Sequence, residues 1–211
     1  VRLFFDGTKD DTYALEEDPN RSVFSLSLQE DGKLLIGGDF TTLGGVERNR
    51  IARLLSSGEL DQSFEPGLGP DGRVSAIAED SQGRILIGGS FTNVNGTSRS
   101  RLARLLPSGQ LDLSFSPGSG LNNTVEAMLL QPDGKIVAGG NFTRANGLEE
   151  NRLVRFFEDG ILDTTFAIGS GFNSGVETLL YEPEGSMIIG GAFTQAMGLN
   201  RRYLVRLQAE T

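Results

Sequence analysis

Arginine and aspartate recur down this chain at one interval, and both residue types could do chemistry. Arg53, Arg104, Arg155 and Arg206 stand 51 residues apart, and Asp61, Asp112 and Asp163 keep the same spacing. A ring of guanidiniums would bind an anion, because each offers a planar fork of donors. A row of carboxylates would bind calcium, or, as a pair at the right separation, hydrolyse a glycosidic bond. Yet no segment has the spacing of a calcium loop. Each Arg lies between apolar neighbours and precedes an Asp by eight positions across a turn. Repetition at the full period favours a structural role, each Arg pairing with that Asp or with a carbonyl, over one ligand site.

The rest of the composition narrows the chemistry further. The 211 residues include no His and no Cys, which removes the commonest general base, the commonest metal ligand and every disulfide. The sialidase-type box Ser-x-Asp-x-Gly-x-Thr-Trp is absent, and the chain has no Trp to complete one. No catalytic residue, metal ligand or cofactor-binding residue is assigned, and the chain is expected not to be an enzyme. A carboxylate-based glycan-active enzyme is the one catalytic alternative. The net charge of −9 argues against nucleic acid and against an anionic membrane surface. No apolar run approaches the roughly 20 residues of a membrane helix, so no membrane insertion is expected.

A glycine pair poses a second chemical question. "KLLIGGDFT", "RILIGGSFT", "KIVAGGNFT" and "SMIIGGAFT" place pairs beginning at Gly37, Gly88, Gly139 and Gly190. A phosphate loop needs glycines that open a helix, and in its best-known form a Lys with Ser or Thr. Here each pair follows an apolar strand-like run and no helical pattern comes next. Glycine within a strand marks a bulge or a close approach of another backbone. The pairs are read as packing residues.

These columns define a repeat, and the repeat defines the fold class. Subtracting one period from Arg53, Asp61 and Phe64 reaches Arg2, Asp10 and Tyr13, and "VRL" at the start matches "VRL" at Val205 to Leu207. The chain is read as one repeat domain over 1–211. Full repeats span 22–73, 74–124 and 125–175, with partial repeats at 1–21 and 176–211. It opens on Val1 inside a repeat, so a mature form or an excerpt of a longer protein is expected.

Each period reads as four short strands. The first is "VFSLSLQ" and its equivalents, with Val23, Ser25 and Ser27 on one side and Leu26 on the other. A turn such as "EDGK" leads to the apolar run before the glycine pair. After a polar loop comes "RIARLL", and a Gly turn leads to a fourth strand around "LDQSF". Turn signals recur every dozen residues or so, the pattern of an all-β array with almost no helix.

The layout "DGKI…GG.FT…G…R..RL…G.LD.SF.PG.G" resembles the bacterial delta-60 repeat, and more loosely the kelch blade, from which it departs by lacking Trp. The resemblance covers nearly the whole chain. It implies a β-propeller or propeller-like array of four-stranded blades, about four 51-residue repeats, in secreted or cell-surface bacterial proteins. It carries over no catalytic residue.

Function is sought where the repeats disagree. After the glycine pair stand Asp39, Ser90, Asn141 and Ala192, and the loops "TTLGGVERNR", "TNVNGTSRSR", "TRANGLEENR" and "TQAMGLNRRY" differ in charge. Loops at one edge of a repeat array are free to form a binding surface. Asp39, Ser90, Asn141, Arg48, Arg99 and Arg201 are the candidate ligand-facing positions, for a protein or carbohydrate partner. The alternative is a structural repeat that self-assembles head to tail through its terminal strands into a ring or fibre. Its motive is a spare third strand, with five copies against four of the first and second. Four Asn-x-Ser/Thr sequences, at Asn20, Asn95, Asn122 and Asn141, carry no weight in a chain so rich in these residues.

Overall fold

The computed structural model describes residues 2–13 and 18–208, and among them every regular element is a β-strand. The first blade holds β1 (Val23–Leu28), β2 (Leu34–Gly38), β3 (Thr42–Leu43), β4 (Val46–Glu47) and β5 (Ile51–Leu54). The second holds β6 (Val74–Glu79), β7 (Ile85–Gly89), β8 (Asn93–Val94), β9 (Thr97–Ser98) and β10 (Leu102–Leu105). The third repeats them as β11 (Val125–Leu130), β12 (Ile136–Gly140), β13 (Arg144–Ala145), β14 (Leu148–Glu149) and β15 (Leu153–Phe156). The fourth has β16 (Val176–Tyr181), β17 (Met187–Gly191), β18 (Gln195–Ala196), β19 (Leu199–Asn200) and β20 (Leu204–Leu207). In each blade the long strands form an antiparallel sheet in the order first, second, last, and the two short ones form a side hairpin. The fold is the expected all-β, propeller-like array of about four repeats.

The turns obey their residues. Gly32 takes φ +82° at the turn between β1 and β2, where its N–H donates to the Gln29 carbonyl at 3.0 Å. Gly58 does the same after β5, with φ +96°. The outermost position of the blade is reduced: "LDQSF" joins β5 through the single bridge Leu54↔Leu60, repeated as Leu105↔Leu111 and Phe156↔Leu162. The chain must leave there for the next blade. Phe64, fully buried, packs with Val74, Ile85, Ile87 and Phe91 of the second blade. The polar loop after the second strand holds the side hairpin.

One reading of the first strand is overturned. Val and the central apolar residue were expected on opposite sides, but the register slips by one between Val74 and Ala76, and likewise in every blade. A bulge of this kind inserts a residue and brings positions three apart onto one face. A Cβ at Gly37 would lie 2.7 Å from Val74 and 3.0 Å from Ile77, so both face the preceding blade. The glycine pair is a packing device, as read. Its first member lets the next blade's Val and Ile close in, and its second leaves no room beside the carbonyl before the first strand, Ser22 or Arg73 for Gly38 or Gly89.

The charged columns are paired with each other. Arg53 Nε donates to Asp61 Oδ2 at 2.8 Å, Arg104 to Asp112 at 2.7 Å and Arg155 to Asp163 at 2.8 Å, all buried. Each guanidinium also stacks on the Phe three residues beyond its Asp, at 4.6 to 4.9 Å. Arg53 Nη1 then donates to the Pro107 carbonyl, and Arg104 Nη1 to that of Glu158, each in the following blade. Burial pushes the Asp61 carboxyl up, but the Ser63 hydroxyl and amide and the Arg53 guanidinium together hold it at about 2. Ser114 with Arg104, and Thr165 with Arg155, likewise keep Asp112 and Asp163 below the usual carboxylate range against the opposing effect of burial.

The N-terminal copy keeps only part of this plan. Arg2 pairs with Asp10 at 2.7 Å and Leu3 bridges Lys9, but no sheet takes this segment as a strand. Val1 lies outside the described residues. β17 pairs with β20 of its own blade. Successive first strands pack β1 on β6, β6 on β11 and β11 on β16, and no comparable packing joins β16 to β1 among the described residues. The four blades form an open arc.

Three outcomes are expected. Gly89→Ala, which meets backbone, destabilises more than Gly88→Ala, which meets the movable Val125 and Met128 side chains, with the milder change costing about 1–3 kcal/mol in urea unfolding. Because the folded Asp61 pKa lies below its unfolded value, its stabilisation is complete above about pH 4 and lost towards pH 2. The thermal midpoint should therefore hold from pH 7 to 5 and fall below 4. Asp112→Ala should cost about 3–5 kcal/mol at pH 7, leaving Arg104 buried and unpaired.

Candidate functional site

The candidate positions lie at the end of the blades where the second strand stops. Asp39, Ser90 and Asn141 directly follow the glycine pair, and their backbone is held from both sides. Their N–H groups donate to the carbonyls of Ser22, Arg73 and Thr124 at 2.8, 2.9 and 2.9 Å. Their own carbonyls accept from Nη1 of Arg50, Arg101 and Arg152. These three arginines hold left-handed φ values of +68°, +73° and +74°, a region that costs non-glycine residues energy. The side chain of each of these left-handed residues clamps a carbonyl eleven residues earlier in the chain. Sequence reading missed this column, although its period of 51 was visible.

Arg48, Arg99 and Arg201 form a separate row. Each Nη1 donates to the carbonyl of the residue before it, Glu47, Ser98 and Asn200, at 2.9 to 3.0 Å. In the third blade the equivalent residue is Glu150, whose carboxyl burial pushes up. The six candidates thus share one end of the array as two rows, and no hydrogen bond described joins the rows. Asn141 alone enters a network that spans blades. Its Nδ2 donates to Glu126 Oε1 at 3.2 Å, and Arg73 Nη2 meets both Glu126 oxygens at 3.1 and 3.2 Å while stacking over Phe24 at 4.9 Å. Phe24 and Glu126 belong to one column, Phe24, Ser75, Glu126 and Glu177, and Arg73 to another, Ser22, Arg73, Thr124 and Gly175; neither keeps one residue type, so periodicity did not mark them.

A second missed column positions the whole loop. The side-chain oxygens of Asn20, Asp71, Asn122 and Asn173 each accept from two successive amides beyond the glycine pair, at 2.7 to 3.2 Å. The sequon-like Asn20 and Asn122 also donate to Thr41 and Thr143. These asparagines are structural clasps.

The larger hollows lie at the opposite end, among the β-turns. Clefts of about 710, 490 and 670 Å³ separate successive blades there. Several of their charges are engaged: Arg84 bridges Asp80 at 2.6 Å and Glu158 at 2.5 Å, and Arg53 holds Asp61. Among the described residues no three Asp or Glu gather in a way that would hold a metal ion. The turn-end clefts offer paired ions, and the loop end offers varied polar side chains on a fixed backbone.

Residues 29–64, 81–115, 131–166 and 182–210 each match the family described as a domain of unknown function (DUF5122) beta-propeller. Residues 68–91 match the two component regulator propeller family. No curated protein matches the chain at a significant level. Among solved structures, the extracellular domain named as a hybrid two component system of B. thetaiotaomicron aligns with TM-score 0.53 at 18% identity, over 89% of this chain and 21% of that one. A protein of unknown function from Bacteroides caccae aligns with TM-score 0.46 at 17% identity, over 89% of this chain and 64% of its own. The chain spans about a fifth of the length of the first of these. Below a quarter identity, such likeness speaks for the fold alone. The repeated strand pattern, the blade geometry and the four matched stretches agree, and the chain belongs to the DUF5122 β-propeller family.

Proposed function

We propose that this chain is a non-enzymatic propeller module of the bacterial surface or extracellular space that binds a protein or glycan at its loop end. One observation carries the reading: Asp39, Ser90 and Asn141 occupy equivalent sites with identical backbone clamps and different side chains. A held backbone lowers the ordering cost of recognition, and the side chains then set specificity. Asp, Ser, Asn and the neighbouring Arg48, Arg99 and Arg201 suit hydroxyl-rich or polar peptide surfaces. The delta-60 resemblance supports the same reading, since that repeat is a scaffold in secreted and surface proteins. The extracellular neighbour in B. thetaiotaomicron is consistent with such a location.

The test is a screen of the labelled chain against glycan and extracellular-protein arrays, followed by titration of each hit. Asp39→Ala, Arg99→Ala and Asn141→Ala combined should weaken a true hit by about tenfold or more, with the thermal midpoint unchanged. An empty screen, or binding untouched by the triple variant, would overturn the assignment.

A further inference from the structure

Arginine is used in two opposite ways in this molecule. In Arg53, Arg104 and Arg155 the Nε edge faces an aspartate. In Arg48, Arg50, Arg99, Arg101 and Arg152 the guanidinium directs Nη1 at main-chain carbonyl oxygen, Nε is buried without a hydrogen-bond partner, and no bond engages Nη2. The Nε–Nη2 edge is a side that can take an oxyanion in a two-point contact. A buried donor without a partner costs free energy, and an oxyanion on that edge would recover it. The segregation is general. Ten of the 19 basic residues pair with a carboxylate, and among these only Arg73 stands at the loop end. The remaining nine are all arginines at the loop end. Among the described residues none of the nine has a carboxylate within ion-pair distance.

We propose that the loop end of the first two blades binds an acidic polysaccharide, whose carboxylates or sulfates sit on the Nε–Nη2 edges of Arg48, Arg50, Arg99 and Arg101. The proposal rests on the loop-end reading above and names its ligand class. The second blade carries it furthest. Its loop from Ser90 to Arg101 contains no Asp or Glu, and Ser98 and Ser100 flank Arg99. No large apolar side chain of this loop is exposed. An acidic peptide would need apolar anchors between its charges, whereas hydroxyls and amides suit a sugar chain. A polymer fits better than a single small anion, because the arginine pair recurs from one blade to the next. In the third blade Glu150 takes the place of Arg48 and Arg99, so the seat stops there. The net charge of −9 does not oppose this, because its acids lie mostly at the turn end. A strand spans about 17–20 Å, roughly two Debye lengths at physiological salt, so their field is screened at the loops.

The full chain is titrated by calorimetry with polygalacturonate, dextran sulfate, neutral dextran and polyglutamate. At least one of the two acidic polysaccharides should bind, the tighter one naming the oxyanion, and dextran should not. The double variant Arg48→Gln, Arg99→Gln should weaken that binding by about tenfold or more. Each of these side chains bonds only the carbonyl before it, so the thermal midpoint should stay at the parent value. Arg144→Gln removes one charge from the same end but no such edge, and should change the affinity by less than about twofold. Arg99→Lys keeps the charge without the planar fork and should weaken binding by at least about threefold. Failure of both acidic polysaccharides, an equal loss from Arg144→Gln, or polyglutamate bound as tightly would overturn the proposal. A neutral glycan or a protein that binds through Asp39 and Asn141 while both acidic polysaccharides fail would overturn it too, and leave the loop-end reading standing.

Discussion

Adjacent blades can approach closely only where one of them carries no side chain, and that constraint organises the molecule. The first glycine of each pair leaves a gap that the Val and Ile, Met or Leu of the next blade fill. The second lies so near the carbonyl before the first strand that even a methyl group has no place. Neither member of the pair has a left-handed φ. They are glycines for want of space, not for conformational freedom. The bulge beside them has the same origin, because only a slipped register turns both apolar residues of the first strand towards the preceding blade.

The core that results lies between blades. Phe64 and Phe115 leave their own repeats to fill the clusters of the second and third blades. The arginine above each of them is held by an aspartate and a ring, and Arg53 and Arg104 reach on to a carbonyl of the next blade. A buried ion pair of this kind gains little over apolar packing but tolerates no missing partner, so it fixes the geometry by which one blade hands over to the next. The reduced fourth segment is the consequence. A chain bound for the next blade cannot also run along its own.

Rigidity at the joints leaves the loop end free to vary. The clamp from Arg50, Arg101 and Arg152 holds this backbone in the first three blades, and the clasp from Asn20, Asp71, Asn122 and Asn173 holds it in all four. Side chains at position 39 and its equivalents contribute nothing to either, which is why they differ without cost to the fold. The turn end has deeper clefts, but its charges already serve the joints.

Composition and periodicity by themselves settled the all-β class, the number of repeats, the packing role of the glycine pair and the structural role of the Arg53 and Asp61 columns. All of these leave marks within one period, through residue type at fixed spacing. Three features did not. The facing of Val74 and Ile77 depends on a bulge, and a register slip is set by the partner strand, not by the strand's own alternation. The single-bridge fourth segment depends on where the next blade lies. The clamp at Arg50 depends on a backbone angle that residue type does not announce. The open arc, too, is a tertiary result: each repeat encodes its contact with the next, and a local pattern carries no information on how many such contacts bring the last blade round to the first.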